Sequence, residues 1–251
     1  MITNYHRPQT LNEALTLLSQ PNTVPLGGGT LLSHPTTDSV SVVDLQSLGL
    51  SSIAKKGNDL EVGSTCTLQG LFESQDCPDA LKTAIKLEAP INIRNTATVA
   101  GTLVASDGRS TFATMLLAMD AKIEQAIFDG AKVETRVSNL GEFVLLRSSA
   151  LITKIIFPLN TKTAFEFVSR TPTDKPLIAA ALTQWNSGRT RLTLGGYGKS
   201  PLLAMDGTEA DGIETAAQNA YHEANDEWAS AEYRMDVAVT LAKRCLESIS
   251  Q

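Results

Sequence analysis

The sequence predicts an α+β protein of two domains. Residues 11–45 have the pattern of a helix, a strand, a glycine turn and a second strand, which begins a mixed helix-and-sheet domain. Residues 165–194 have the alternation and turn signals of a small antiparallel meander, and the chain after Ile213 has a helical pattern. The pattern changes after Pro158, so we place the boundary near Leu159. A chain of 251 residues that is 42% hydrophobic can bury two modest cores.

Local signals support each element in turn. Thr10 and Glu13 form a capping box ahead of a helix over 11–19, which ends before Pro21. Strands are expected over 24–26 and 40–45. The other predicted elements are strands at 59–62, 64–67, 123–128, 132–137, 165–168, 177–185 and 189–194, helices at 68–74, 78–86 and 111–118, and a loop-and-strand segment at 94–105. Asp129-Gly130 signals a hairpin turn, and Ala238, Leu241, Ala242, Cys245 and Ile249 form one apolar helical stripe.

The charge balance argues against two classes of partner. The net charge is -6, so the chain lacks the basic field that would hold nucleic acid or an anionic membrane surface. The first residues, Met1 to Pro8, show no signal-peptide or transit-peptide pattern, and the apolar runs are too short to cross a bilayer. We therefore expect a cytoplasmic protein with no membrane and no nucleic-acid partner.

The cysteines and histidines suggest no metal centre. Cys66, Cys77 and Cys245 are far apart and form no Cys-x-x-Cys pair, which favours free, buried thiols. The three histidines are scattered as well. A disulfide framework, a zinc site and an iron–sulfur site are therefore not expected.

Residues 195–200 match only part of the P-loop, a nucleotide-binding motif. Residues 195–200, Gly-Gly-Tyr-Gly-Lys-Ser, end like a P-loop, but Thr193 stands where that motif needs its first glycine and Pro201 follows it. We favour a loop that ends a strand. The chain also lacks a Rossmann fingerprint, a nucleophile elbow and a paired Cys and His, so no catalytic residue is predicted and any chemistry would come from a cofactor.

Two glycine-bearing segments, residues 26–30 and 98–102, each place small residues beside a threonine. Consecutive backbone N–H groups in such a segment can turn toward an anion, and the hydroxyl can add a donor. No Lys or Arg lies between Val24 and Pro35, so a pyrophosphate held there would be bound by peptide dipoles. A tight turn and an anion cradle both remain possible interpretations of either segment.

With both segments placed, the chain resembles the FAD-binding medium subunit of the molybdenum hydroxylases, as in carbon monoxide dehydrogenase and xanthine dehydrogenase. The motifs that carry the resemblance are Tyr5-His6-Arg7-Pro8, residues 26–32, Val43-Asp44-Leu45, residues 90–103, residues 116–121 and residues 229–234. They run from one end of the sequence to the other.

The resemblance implies a fold and a cofactor. The fold is a two-lobed FAD-binding domain of the molybdopterin dehydrogenase type over 1–159, with lobes of about 1–50 and 51–159. A C-terminal domain of the carbon monoxide dehydrogenase flavoprotein type, with a small antiparallel sheet and helices, follows over 160–251. The residues implied to bind FAD are Leu26, Gly27, Gly28, Gly29, Thr30, Leu31, Ala89, Thr98, Ala100, Gly101, Thr102, Thr111 and Ile152. Of these, residues 27–31 and Thr98, Gly101 and Thr102 would hold the pyrophosphate from two sides, and Ile152 would pack against the ring.

The resemblance also implies partners. Substrate would be oxidised in a large subunit that carries the molybdenum cofactor, and electrons would pass through the [2Fe-2S] clusters of a small subunit. The FAD of this chain would then deliver them to NAD, a quinone or another acceptor. The chain would thus be an oxidoreductase component within a hetero-oligomer.

The sequence departs from the family pattern at three positions of this site. Ala100 replaces a glycine of the second segment, which requires a negative φ there, and Thr102 replaces an asparagine. Thr111 replaces an Asp that anchors part of the FAD. Arg109, just upstream, is either an added charge at the site or a solvated loop residue. These departures support an alternative, a relative without flavin that acts as a scaffold or interaction subunit. A stand-alone flavin oxidoreductase is a third possibility.

Overall fold

The computed structural model describes residues 1–34, 39–128, 130, 132–146 and 150–250. The chain divides into two compact units. Unit 1 contains residues 1–75, 91–105 and 122–156, and unit 2 contains residues 76–90, 106–121 and 157–251. Each unit is therefore built from several chain segments, whereas the predicted boundary near Leu159 follows chain order and stays a prediction.

Unit 1 contains two sheets. The first has the order β1-β3-β2 and is parallel, with β1 Ile2–His6, β2 Thr23–Leu26 and β3 Val40–Asp44. The second has the order β4-β5-β8-β6-β7, with β4 Ile53–Lys56, β5 Asp59–Gly63, β6 Lys122–Phe128, β7 Val133–Asn139 and β8 Leu151–Pro158. The predicted hairpin is confirmed, because Phe128 pairs with Val133 in an antiparallel ladder. Asp129 of its turn lies outside the described residues.

The helices of unit 1 are α1 Leu11–Leu18, α2 Leu68–Glu73, α4 Ile91–Arg94, α5 Val99–Ala105 and α7 Leu140–Leu146, with a 3-10 turn at Gln46–Leu48. The Thr10 hydroxyl accepts a hydrogen bond from the Glu13 N–H, so the predicted cap of α1 is confirmed. Ala14 and Leu15 of this helix bury against Val43 of β3, Ala126 of β6 and Leu151 of β8. The two sheets thereby share one hydrophobic cluster.

Unit 2 contains helices α3 Asp79–Glu88, α6 Thr111–Ala118, α8 Ile213–Ala220 and α9 Ala231–Ser250, and strands β9 Thr161–Val168, β10 Ile178–Trp185, β11 Thr190–Gly195 and β12 Leu202–Gly207. The strands form an antiparallel sheet in the order β12-β11-β10-β9, so the predicted meander is confirmed and gains a fourth strand. All residues of α6 are buried, as its uniformly apolar sequence predicts. The predicted stripe of α9 is buried against the sheet.

The P-loop-like segment closes a contact inside unit 2. Its Gly196 N–H donates to the carbonyl of Gly108 over 2.7 Å, and the Gly108 N–H donates back to Gly198 over 3.0 Å. The segment follows β11 directly. It is therefore a loop that ends a strand, as expected from its missing first glycine.

Two local predictions were wrong. In the segment 94–105, residues 95–98 form a turn and an isolated bridge, but residues 99–105 form α5 instead of a strand. The Thr98 hydroxyl accepts the Gly101 N–H over 3.1 Å and so caps a helix that its β-branched neighbours disfavour. Residues 64–67 form a turn, with only an isolated bridge between Thr67 and Thr98. Strands β1, β4, β8 and β12 and helix α7 were not predicted.

Candidate functional site

The first glycine segment follows the carboxyl end of β2. The Leu26 carbonyl still accepts the Leu45 N–H over 3.1 Å, and the chain then leaves the sheet. A single turn forms next, in which the Ser33 N–H donates to the Gly29 carbonyl over 3.1 Å. Ligands of sheets with parallel strands commonly bind beyond the carboxyl ends of the strands. Residues 27–30 are half-buried and Leu31 is exposed.

The backbone of this segment presents a run of free donors. Within the described part of the chain, no backbone N–H of residues 27–31 donates to a protein acceptor. The chemistry of this donor set suits an anion, because successive N–H groups carry partial positive charge without a side-chain cation. The pyrophosphate of FAD is such an anion, so the residues present fit the group.

The second glycine segment touches the first. A Cβ added at Gly28 would lie 1.7 Å from the carbonyl oxygen of Thr96, and one added at Gly27 would lie 2.7 Å from Thr98 Oγ1. Backbones approach this closely only where one residue has no side chain. The structure thus brings the two glycine segments together within unit 1.

Thr98 lies at the centre of that contact. Its hydroxyl oxygen accepts the Gly101 N–H over 3.1 Å, while its carbonyl accepts both the N–H and the hydroxyl of Thr102 over 2.9 Å. Its own N–H and hydroxyl hydrogen have no acceptor among the residues that the structure covers. Thr98 therefore contributes two further donors beside Gly27. The N–H groups of residues 99–102 are already engaged: those of Val99 and Ala100 donate to the carbonyls of Cys66 and Ser64, and those of Gly101 and Thr102 donate to Thr98.

The other predicted residues lie at different places. Ala100 is in α5 and is not among the described non-glycine residues with positive φ, so its methyl group is tolerated. Ile152 is in β8 and 3% exposed. Ala89 and Thr111 belong to unit 2. Cys66 lies beside the second glycine segment, because its carbonyl accepts the Val99 N–H over 2.9 Å. Burial raises the pKa of its thiol to about 11, so Cys66 packs as a neutral group.

Thr111 is engaged inside unit 2. It is 1% exposed, and its hydroxyl donates to the Ala84 carbonyl over 2.7 Å and lies 3.3 Å from Glu88 Oε2. The same carboxylate oxygen accepts the Ser110 hydroxyl over 2.8 Å and the Phe112 N–H over 3.0 Å. Glu88 thus supplies a carboxylate at the start of α6, where the family pattern has an Asp. The contact between Thr111 and FAD remains a prediction.

We expect Thr111→Asp to lower the free energy of unfolding by about 3 kcal/mol, because it buries a second carboxylate against that of Glu88. Thr111→Val should cost only about 1 kcal/mol, the loss of one hydrogen bond. Urea unfolding followed by circular dichroism measures both. Adding Glu88→Gln to Thr111→Asp should recover part of the loss. A Thr111→Asp protein of unchanged stability would contradict the role given to Glu88.

Sequence reasoning missed Thr96, whose carbonyl oxygen lies against Gly28. The signal that could have found it is the glycine itself, because a residue without a side chain is typical where another stretch of backbone passes closely.

Similarity to known proteins decides the family of this chain. A profile of the family described as the FAD binding domain in molybdopterin dehydrogenase matches residues 1–160. The chain belongs to this family. FAD is therefore its cofactor, and the resemblance to the flavin subunits of molybdenum hydroxylases is confirmed.

Similar proteins cover nearly the whole chain. The uncharacterized Escherichia coli K12 protein YgfM is 26% identical over 243 residues, which are 93% of this chain and 91% of YgfM. The structure of CO dehydrogenase from Oligotropha carboxidovorans is similar with a TM-score of 0.81 at 24% identity, covering 98% of this chain and 96% of that one. Quinoline 2-oxidoreductase from Pseudomonas putida 86 gives a TM-score of 0.79 at 20% identity, over 99% and 96%. These two structures confirm the predicted fold class.

The described part of the chain holds neither a membrane span nor a metal-binding cluster. Among the described helices, none is long and apolar enough to cross a bilayer. No cluster of three or more His, Cys, Asp and Glu side chains in the described ranges could hold a metal ion.

Proposed function

We propose that this chain is the FAD-carrying electron-transfer subunit of a molybdenum hydroxylase complex. The observation that carries the proposal is the meeting of the two glycine segments in unit 1, with the free N–H groups of residues 27–31 beside Thr98. The similar proteins support it, since they include a Cu,Mo-containing CO dehydrogenase and an oxidoreductase of quinoline.

The chain's own residues would bind and orient the cofactor. The N–H groups of residues 27–31 donate to the pyrophosphate, and the N–H and hydroxyl of Thr98 add donors from the second segment. Leu26 and Leu31 lie at the two ends of the first segment. The small side chains of Ala100 and Thr102, and the absence of one at Gly101, let the second segment lie close to the cofactor. Ile152 supplies an apolar wall for the ring, and Ala89 and Thr111 are two further proposed contacts.

Bound FAD supplies the redox chemistry, because it accepts electrons and passes them to an external acceptor. The side chains at the glycine segments carry no acid or base, so this chain needs no catalytic residue of its own. Its partners in this proposal are a large subunit with the molybdenum cofactor and a small subunit with [2Fe-2S] clusters, in a cytoplasmic hetero-oligomer.

The first experiment tests the flavin. The full chain is purified without flavin, mixed with FAD, desalted and examined by visible spectroscopy, with circular dichroism to show that it is folded. We expect one FAD to remain bound per chain. A folded chain that retains no FAD would contradict the proposal and favour a scaffold subunit without flavin, the function that the engaged hydroxyl of Thr111 would suit.

The second experiment tests the partners. The chain is co-expressed with a molybdenum-cofactor subunit and a [2Fe-2S] subunit of this family from the same organism, and size-exclusion chromatography follows flavin absorbance and protein together. We expect the flavin to elute with a complex larger than the isolated chain. Elution as a free flavoprotein would favour a stand-alone flavin oxidoreductase.

A further inference from the structure

Four loops of unit 2 meet beyond one end of its antiparallel sheet. Two of them connect neighbouring strands there, and the other two lead into α6 and α9. They are residues 169–177, 196–200, 106–110 and 225–230. Hydrogen bonds join them, since the Gly108 N–H donates to the Gly198 carbonyl over 3.0 Å and Arg109 Nη2 donates to the Lys175 carbonyl over 3.2 Å. The P-loop-like segment and Arg109 therefore come together at this end of the sheet.

An exposed tryptophan of the fourth loop lies against two arginines. Trp228 is 39% exposed, and its ring centre lies 4.8 Å from the guanidinium carbon of Arg109 and 4.5 Å from that of Arg170. We call these three residues the arginine–tryptophan cluster. The Trp228 N–H donates to Asp226 Oδ1 over 2.8 Å, and the buried Arg234 binds the same carboxylate. The backbone that carries the indole is therefore fixed in place.

The positive charge of the cluster is only partly balanced. The carboxylate of Asp174 lies 3.4 Å from Arg170 Nε. The Asp107 carboxylate accepts the backbone N–H of Arg109 over 2.9 Å, but among the residues that the structure covers no carboxylate pairs with the Arg109 guanidinium. Two like charges beside one ring repel each other, so an anion that bound both would stabilise the arrangement.

The cluster also leaves guanidinium N–H groups free for a ligand. In the described part of the chain, no residue accepts a hydrogen bond from Arg109 Nη1 or from either Nη atom of Arg170. A guanidinium group can bind a carboxylate through two parallel hydrogen bonds, and stacking on an aromatic ring fixes its plane in advance. Arginine and tryptophan are enriched at protein interfaces, where they supply much of the binding energy.

We propose that an acidic segment of a partner protein docks on the arginine–tryptophan cluster. The chain has a net charge of -6, so two arginines beside an exposed indole form a local exception that an acidic partner can recognise. Carboxylates on alternate residues of an extended segment lie about 7 Å apart on one face, which suits two guanidiniums that share one ring. The side-chain stems of such a segment also cover the exposed indole, which a small hydrated anion does not. The inference goes beyond the proposed function and needs no bound FAD.

The first measurement uses the full wild-type chain without FAD. A dye-labelled hexaglutamate peptide is titrated with the protein and followed by fluorescence anisotropy, with hexaglutamine as the neutral control. We expect only hexaglutamate to bind, and its affinity to fall as the salt concentration rises. In the Trp185→Phe protein, Trp228 is the one remaining tryptophan. Bound hexaglutamate should protect it from quenching by acrylamide, which places the peptide at the cluster.

Arg109→Gln and Arg170→Gln should each weaken the binding of hexaglutamate about tenfold, because each removes charge-assisted hydrogen bonds. Arg244→Gln is the matched control: it removes the same charge from an exposed position of α9, and the affinity should stay within about twofold of the wild-type value. Circular dichroism shows that each variant is folded.

Two results would overturn the inference at once: no binding of hexaglutamate to the wild-type chain, or binding to Arg109→Gln and Arg170→Gln that is as tight as to the wild type. Displacement of the labelled peptide by inorganic phosphate as readily as by unlabelled hexaglutamate would also overturn it, in favour of a site for small anions. No FAD is present in these titrations, so their failure is distinguishable from a failure of the proposed function.

Discussion

Gly28→Ala is expected to remove FAD binding while leaving most of the fold intact. The added methyl group would lie 1.7 Å from the Thr96 carbonyl oxygen and 2.5 Å from its carbon, and both atoms belong to the backbone. Neither can swing away as the end of a side chain could. The two glycine segments must therefore move apart, at a cost typical of overpacking, about 1–3 kcal/mol.

Flavin binding should suffer more than stability. The N–H groups of residues 27–31 all donate to the pyrophosphate only while they point toward it together. A shift of the segment therefore weakens several hydrogen bonds at once. We expect the affinity for FAD to fall at least about a hundredfold, which corresponds to about 3 kcal/mol. Titration of the apoprotein with FAD, followed by quenching of flavin fluorescence, measures the change.

Gly57→Ala is the matched control for that prediction. It makes the same substitution in unit 1, at a position where nothing lies within 4 Å of the added methyl group. Its φ of 62° makes the alanine cost about 1–2 kcal/mol, similar to the expected cost at Gly28. FAD affinity should stay at the wild-type value. Normal FAD binding by Gly28→Ala would show that the glycine segments do not cradle the cofactor.

Arg234→Met is expected to destabilise unit 2 by about 3–5 kcal/mol, because it leaves a partner charge unpaired. Arg234 is fully buried in α9. Its Nη1 donates to the carbonyls of Ala224 over 2.6 Å and Ala229 over 2.9 Å, and its Nη2 donates to both carboxylate oxygens of Asp226 over 2.9 Å. The guanidinium also lies 5.1 Å from the ring centre of Tyr197.

The charge of Asp226 explains the size of this effect. Burial acts to raise the pKa of this carboxyl, but hydrogen bonds from Arg234 and from the N–H groups of Trp228 and Ala229 outweigh burial and leave the pKa below its usual value. The carboxylate is therefore charged at neutral pH. Without Arg234 it keeps that charge and loses its cation.

Urea unfolding at pH 7 measures the effect, with Arg244→Met as the matched control. Arg244 lies in the same helix and is exposed, so its replacement should change the free energy of unfolding by no more than about 0.5 kcal/mol. Equal stabilities of the two variants would mean that the buried arginine has no structural role.

Much of the local structure could be predicted because its causes lie close together in the sequence. The Thr10 cap, the uniformly apolar α6 and the stripe of α9 each depend on residues within a few turns. The segment 94–105 could not be predicted in this way. Its threonines and valines favour strand. The helix forms because the Thr98 hydroxyl caps it, and the backbone at Thr98 is held by a bridge to the distant Thr67.

The residues of the site differ in the same way in whether the sequence predicts them. Gly27, Gly28 and Thr98 were predicted from their residue types together with the resemblance to the family. The structure places Gly27 against Thr98 and Gly28 against Thr96, the second residue before Thr98. Glu88 was not, because nothing near it in sequence reveals that its carboxylate faces the start of α6. These contacts join residues that lie 22 to 24 positions apart.

The sequence by itself determined the family, the cofactor and most helices and strands, because motifs and periodicity are local and survive in the order of the residues. Only the tertiary structure decided that the two glycine segments meet and that Thr111 is hydrogen-bonded to Ala84 and Glu88. The physical reason is that hydrogen-bond satisfaction and close packing depend on distance in space, which separation along the chain does not fix.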